Sequence, residues 1–125
     1  MYDKKVLHLL DKIIESVEVI LERTETVDSV NAFLDSSTGT LLLDGVCMKL
    51  IAVGESIKNL DKLTTGGLLV HYPQISWREV MGMRDIIVHH YFEVDADVIF
   101  NTKRNLIIIR RESWLDTLLK IFYHL

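Results

Sequence analysis

Val6-Leu7-His8-Leu9-Leu10-Asp11-Lys12-Ile13-Ile14-Glu15-Ser16-Val17-Glu18-Val19-Ile20-Leu21-Glu22-Arg23 is the stretch that decides the fold class. Val6, Leu9, Leu10, Ile13, Ile14, Val17, Ile20 and Leu21 recur at spacings of three and four, which paints a single apolar stripe on a helix. Lys4, Lys5, Asp11, Lys12, Glu15, Glu18 and Glu22 fill the remainder. A helix of this kind must bury its stripe against others like it. The same period returns downstream in Leu43, Val46, Cys47, Leu50, Gly54 and Ile57, predicting a helix over residues 40–60. A short helix over 29–34 precedes it, and Asp35-Ser36-Ser37-Thr38-Gly39 supplies turn and cap chemistry between the two. Gly45 and Gly54 each cost about 1 kcal/mol inside a helix, which close approach of a neighbouring helix can offset.

Thr64-Thr65-Gly66-Gly67 reads as a turn, and Tyr72-Pro73-Gln74 leads into a helix from Ser76 that ends between His89 and Phe92, with Asp95 as cap of the next. Leu106-Ile107-Ile108-Ile109 has strand-like composition, but a lone strand has no partner, so it too is read as helix. Leu115, Leu118, Leu119 and Phe122 mark a last amphipathic element. The expectation is all-α: one domain over residues 1–125, an up-and-down bundle of four to five main helices.

Composition narrows the function. Hydrophobic residues make up 49% and charged residues 26% of the 125, an ordinary globular balance. No apolar run reaches the ~18 residues of a membrane span, and the N-terminus lacks the clean apolar stretch of a signal peptide. With Cys47 alone, no internal disulfide forms, so a cytoplasmic protein without membrane attachment is expected. His8, His71 and His124 lack ligand spacing, and neither a metal nor a cofactor is expected. Net charge is −4, with seven Lys/Arg against eleven Asp/Glu in residues 1–70 and seven of each in 71–125. A polyanion site is therefore expected in the second half, as a local cluster.

Residues 72–95 carry the chemistry. Arg84, His89, His90 and Tyr91 fall within eight positions beside an apolar stripe. A guanidinium grips a phosphodiester through its planar fork, and an imidazole moves protons near neutral pH. Together they suffice for RNA cleavage without a metal. The ribose 2′-OH is deprotonated and attacks the adjacent phosphorus, leaving a 2′,3′-cyclic phosphate and a 5′-OH. On an ideal helix, however, Arg84 and His89 point about 140° apart, while Arg84 and Tyr91 share a face. His89 joins them only if the helix ends or distorts there, or if a second copy supplies the missing group across a twofold axis.

The segment resembles the HepT-like branch of the HEPN superfamily, whose signature is Arg, four residues, His, one residue, Tyr; Arg84, His89 and Tyr91 satisfy it. Asp85 after the arginine, Pro73, Trp77, Gly82-Met83, Val94-Asp95 and Gly54-Glu55 also match the family's surroundings. The likeness is dense from Tyr72 to Asp95 and fades after Asn105. It implies a HEPN-like symmetric homodimer acting as a metal-independent endoribonuclease toxin of a type VII toxin–antitoxin pair. The implied partners are an RNA substrate and a nucleotidyltransferase antitoxin that transfers AMP to the motif tyrosine, here Tyr91. Arg84 and His89 are then catalytic, with Asp85, His90 and Tyr91 supporting.

Blander readings stand beside these. Asp85 either orients Arg84 or His89 or is a plain surface acid; Glu55 is structural, bonding the motif helix; Trp77 is core and Cys47 an inert buried thiol. Lys103, Arg104, Arg110 and Arg111 are RNA-backbone candidates, or simply a solvated face. The rival function is a non-catalytic helical module that presents a nucleotide or substrate to a nucleotidyltransferase; the negative charge favours it. A purely structural helical dimer is the third reading.

Overall fold

In the computed structural model, which describes residues 4–89 and 96–112, every regular element is helical. Helix α1 spans Lys4–Arg23, α2 Asn31–Leu34, α3 Ser37–Leu63, α4 Trp77–His89 and α5 Ala96–Arg111, with one 3₁₀ turn at Leu69–His71 before α4. The bundle is built around α3, which packs on α1 along one side and on α4 along another; α5 closes against α1 and α4. Asp95 and the amphipathic element after Ser113 lie outside the described residues.

The α1 stripe is buried as its spacing predicts: Val6, Leu10, Ile13, Val17, Ile20 and Leu21 are interior, with Leu9 and Ile14 half-buried against the same core. They meet Val46, Leu50, Val53, Ile57 and Leu60 of α3, then Val80, Met83 and Ile87 of α4 and Ile99, Leu106 and Ile109 of α5. Each such side chain contributes about 1.5–3 kcal/mol of burial. The aliphatic run at 106–109 is helical because its buried members, Leu106 and Ile109, continue the three-and-four series from Ile99 and Thr102.

Helix α3 outruns its predicted bounds at both ends. It starts at Ser37 because Ser36, in extended conformation, caps it by accepting from the Gly39 amide at 2.9 Å. It ends in a Schellman turn, in which the Gly66 amide donates to the Asp61 carbonyl at 2.9 Å and the Thr65 amide to that of Lys62 at 3.2 Å. The left-handed position of that turn is held by Thr65, with φ +50°, where glycine is usual. A β-branched residue there costs roughly 1–2 kcal/mol, and glycine gives back about 0.5–1 through its freer unfolded chain. Thr65→Gly is therefore expected to stabilise by about 0.5–1 kcal/mol, read as a thermal midpoint raised by a few degrees.

The two glycines inside α3 differ. A Cβ on Gly54 would sit 3.1 Å from the Val80 carbonyl oxygen and 3.5 Å from the Arg84 Cβ, so α4 crosses there at close range. Gly45 has no atom within 4 Å of such a Cβ, so close packing does not explain it within one chain.

Two polar devices fix α4 and α5. The Trp77 indole donates to the Leu69 and Tyr72 carbonyls at 3.1 and 3.0 Å, so this half-buried side chain ties the preceding turn to α4 as well as packing on the core. Buried Asn105 of α5 accepts from the Ser76 amide and donates to Glu79, both at 3.2 Å, which sets α5 against the first turn of α4.

Candidate functional site

The close crossing at Gly54 places Arg84 over α3. Its Nε donates to Glu55 Oε1 at 2.9 Å and its Nη1 to Asp85 Oδ1 at 3.0 Å. The second Asp85 oxygen faces Lys58 Nζ at 3.5 Å. Glu55 thus bonds the motif helix, and Asp85 orients the arginine. Lys58 was not legible as a site residue from the motif. Its signal was its place three residues after Glu55, on the same side of α3.

The four side chains are open to water, Arg84 least so at 35% and the others at 46–52%. Exposed pairs of this kind add little to stability; what they fix is direction. Hydrogen bonding to Asp85, opposed by desolvation and reinforced by Glu55, pushes the Arg84 guanidinium further above its ordinary value. The Arg84 hydrogen bond, followed by the Lys58 charge, holds the Asp85 carboxyl below the usual carboxylate range. Two cations and two carboxylates leave the cluster with no net charge, yet the guanidinium has five N–H donors and only two serve these carboxylates.

His89 is exposed, and α4 is helical through it. On an ideal helix the five residues from Arg84 to His89 turn the two side chains' departure directions about 140° apart around the axis. His90 and Tyr91 lie outside the described residues.

The α5 candidates divide. Lys103 Nζ donates to the Thr24 and Val27 carbonyls at 2.6 and 3.1 Å, fastening α5 to the chain leaving α1. Burial lowers its pKa against the raising pull of Asp28 and Glu25. Arg104, Arg110 and Arg111 are exposed. Lys103, Arg104 and Arg111 line a groove of about 920 Å³, but Glu25, Asp28 and Glu79 are interleaved with them. Cys47 is buried on α3, and its thiol is pushed up to about 11 by burial and then by Asp44, far from a nucleophile's range. Among the described residues no three His, Cys, Asp or Glu side chains gather as metal ligands, and no helix is long and apolar enough to cross a membrane.

Comparison with known proteins gives a consistent result. The profile of the family described as Ribonuclease HepT-like matches residues 6–113. Over 93 residues the chain is 32% identical to a probable ribonuclease HepT of Thermococcus cleftensis, covering 74% of this chain and 77% of that protein. It is 29% identical over 93 residues to a "Putative RNase" of Caldanaerobacter subterraneus subsp. tengcongensis, covering 74% and 76%. It is 36% identical over 92 residues to a Methanocaldococcus jannaschii protein named as a gamma-glutamylcyclotransferase and "putative RNase", of which it spans 38%. No solved structure matches the chain.

Proposed function

The chain belongs to the ribonuclease HepT-like family, and from that premise we propose that it is a metal-independent endoribonuclease, the toxin of a type VII toxin–antitoxin pair, working through Arg84, His89 and Tyr91. The observation that carries this reading is the guanidinium of Arg84, held at the surface by Glu55 and Asp85 with donors to spare. Those donors take a phosphodiester oxygen, and charge building on the phosphate is stabilised by a group already in place. His89 accepts the 2′-OH proton as the 2′ oxygen bonds to phosphorus. The departing 5′ oxygen takes up a proton, so the products are a cyclic phosphate and a 5′-OH.

Because five helical residues turn Arg84 and His89 toward different sides of α4, a symmetric homodimer in which each copy completes the other's pocket is part of this reading. The outward face of α3 suits that contact. Leu41 and Met48 are 72% and 73% exposed there. Between them Gly45 presents bare backbone, which accounts for a glycine with no neighbour inside its own chain. Silencing follows from the same chemistry. A nucleotidyltransferase antitoxin joins AMP to the Tyr91 oxygen with loss of pyrophosphate, and the new anionic phosphate competes for Arg84.

Incubation with ATP and the candidate nucleotidyltransferase, followed by mass spectrometry, is expected to show mass increments of AMP and loss of RNA cleavage. Both should be absent in Tyr91→Phe. No mass change, or full cleavage by the modified protein, overturns the silencing scheme. The uncharged cluster and the net charge of −4 favour the second reading, a non-catalytic module serving a nucleotidyltransferase. An RNase assay without metal, read for cyclic-phosphate ends, separates the two.

A further inference from the structure

Arg84 is held by more negative charge than it carries. Its Nε donates to Glu55 at 2.9 Å and its Nη1 to Asp85 at 3.0 Å, so the guanidinium and its two carboxylates sum to one negative charge. Nη2 serves neither of them. Two carboxylates aim the arginine better than one, because they pin the planar group at two of its nitrogens. The same pair works against anion binding. A phosphodiester arriving at Nη2 meets a cation that is already over-neutralised.

Lys58 removes that excess. It stands three residues after Glu55, on the same side of α3. Its Nζ faces Asp85 Oδ2 at 3.5 Å, while Arg84 takes Oδ1, so Asp85 is divided between two cations. Signs alternate from Glu55 through Arg84 and Asp85 to Lys58. The Lys58 contact is longer than a well-formed hydrogen bond, and both side chains are about half exposed, so it does little for the fold. Its reach is electrostatic. Bridged by one carboxylate, the ammonium lies within roughly 9 Å of Arg84 Nη1, inside the ~10 Å screening length of 0.1 M salt. The Asp85 carboxyl already registers it, since the Lys58 charge joins the Arg84 hydrogen bond in holding that group below its ordinary range.

We propose that Lys58 is the charge-compensating residue of the phosphate site. It acts through Asp85, without touching the substrate, and cancels the surplus carboxylate around Arg84 so that the guanidinium accepts a phosphodiester. It is a positioning residue for charge rather than for direction. With Lys58 present, a phosphate brings its single negative charge to a neutral cluster and meets the free donors of Nη2. Without it, the same donors point out of a cluster that repels the ligand. The inference rests on the nuclease reading for its ligand.

The test is a charge exchange, read by binding of a fluorescent twelve-nucleotide 2′-deoxy strand, which lacks the attacking hydroxyl and is not cleaved. Lys58→Gln is expected to weaken low-salt binding roughly three- to tenfold, the effect of one charge at this range in a medium between protein surface and water. The deficit should shrink as salt rises. Lys58→Arg should bind like the parent. Lys58→Gln/Glu55→Gln returns the cluster to zero charge while the glutamine oxygen still accepts from Arg84 Nε, so affinity should recover to within about twofold of the parent's. Lys58→Gln/Glu18→Gln restores the same overall charge on exposed α1 surface and should stay weak. Parental affinity in Lys58→Gln overturns the assignment. So does a deficit that survives Glu55→Gln, the mark of a direct contact to the strand or of a lost brace. Equal rescue by Glu18→Gln overturns it too, because net charge alone then accounts for the loss. Circular dichroism melts keep a folding defect from being read as lost binding. The assay needs no cleavage, so it judges Lys58 even if Arg84→Ala and His89→Ala prove as active as the parent, the separate result that would end the nuclease reading.

Discussion

Arg84→Ala and His89→Ala are each expected to lower RNA cleavage by about 10²- to 10⁴-fold, the range for losing a charge-stabilising donor or a positioned acid–base group. Neither change should cost much stability, because Arg84 is held by surface pairs and His89 is exposed. Mixing the two inactive proteins is the sharper measurement. If each pocket takes its arginine from one copy and its histidine from the other, half the dimers formed at equal mixing are hybrids. Each hybrid has one intact pocket, so activity returns to about a quarter of the parent's. A pocket built within one chain gives no recovery, and that result would falsify the shared-site arrangement while leaving the two catalytic roles standing.

Gly54→Val tests whether the helix crossing positions the chemistry. A bare Cβ already meets the Val80 carbonyl at 3.1 Å and the Met81 carbonyl and Arg84 Cβ at 3.5 Å. Alanine would gain about 1 kcal/mol of helix propensity against that crowding, so its net effect is small. Valine adds two methyl groups against backbone that is already close, and overpacking of this kind costs about 1–3 kcal/mol. Helix α4 must then move off α3 and carry Arg84 away from Glu55. The expected result is a thermal midpoint lower by several degrees, with a fall in cleavage larger than the unfolded fraction explains. A parental midpoint and rate would show that the crossing is looser than its geometry indicates.

Acid should act on the same brace. Asp85 has a native pKa held below its ordinary value, so its contribution to the folded state is complete above the usual carboxylate range. It is lost only as the pH falls through the lowered native value. Inflections in cleavage nearer neutrality therefore do not belong to Asp85.

The bundle was legible because α1 and α3 bury stripes at three-and-four spacing, and burial against a shared core leaves such sequences few alternatives; α5 was read as helix only because a lone strand would lack a partner. The ends of α3 were less so. Which serine caps it, and whether Thr65 accepts a left-handed backbone, depends on differences near 1 kcal/mol that pattern does not resolve. Arg84, Glu55 and Asp85 could be named in advance from the motif and its surroundings. Lys58 could not, because its pairing with Asp85 joins residues far apart in sequence that only packing brings together.

Helix α3 runs unbroken for 27 residues, so it works as a ruler with angular graduations. The offset between Gly54, where α4 crosses, and Lys58, which reaches Asp85, is written in residue count, and loop lengths elsewhere can drift without altering it. One residue inserted between Glu55 and Lys58 would swing Lys58 about 100° out of phase, whereas four would return it almost to the same face but some 6 Å further away. Evolutionary change in this stretch is thereby steered toward substitution and away from insertion.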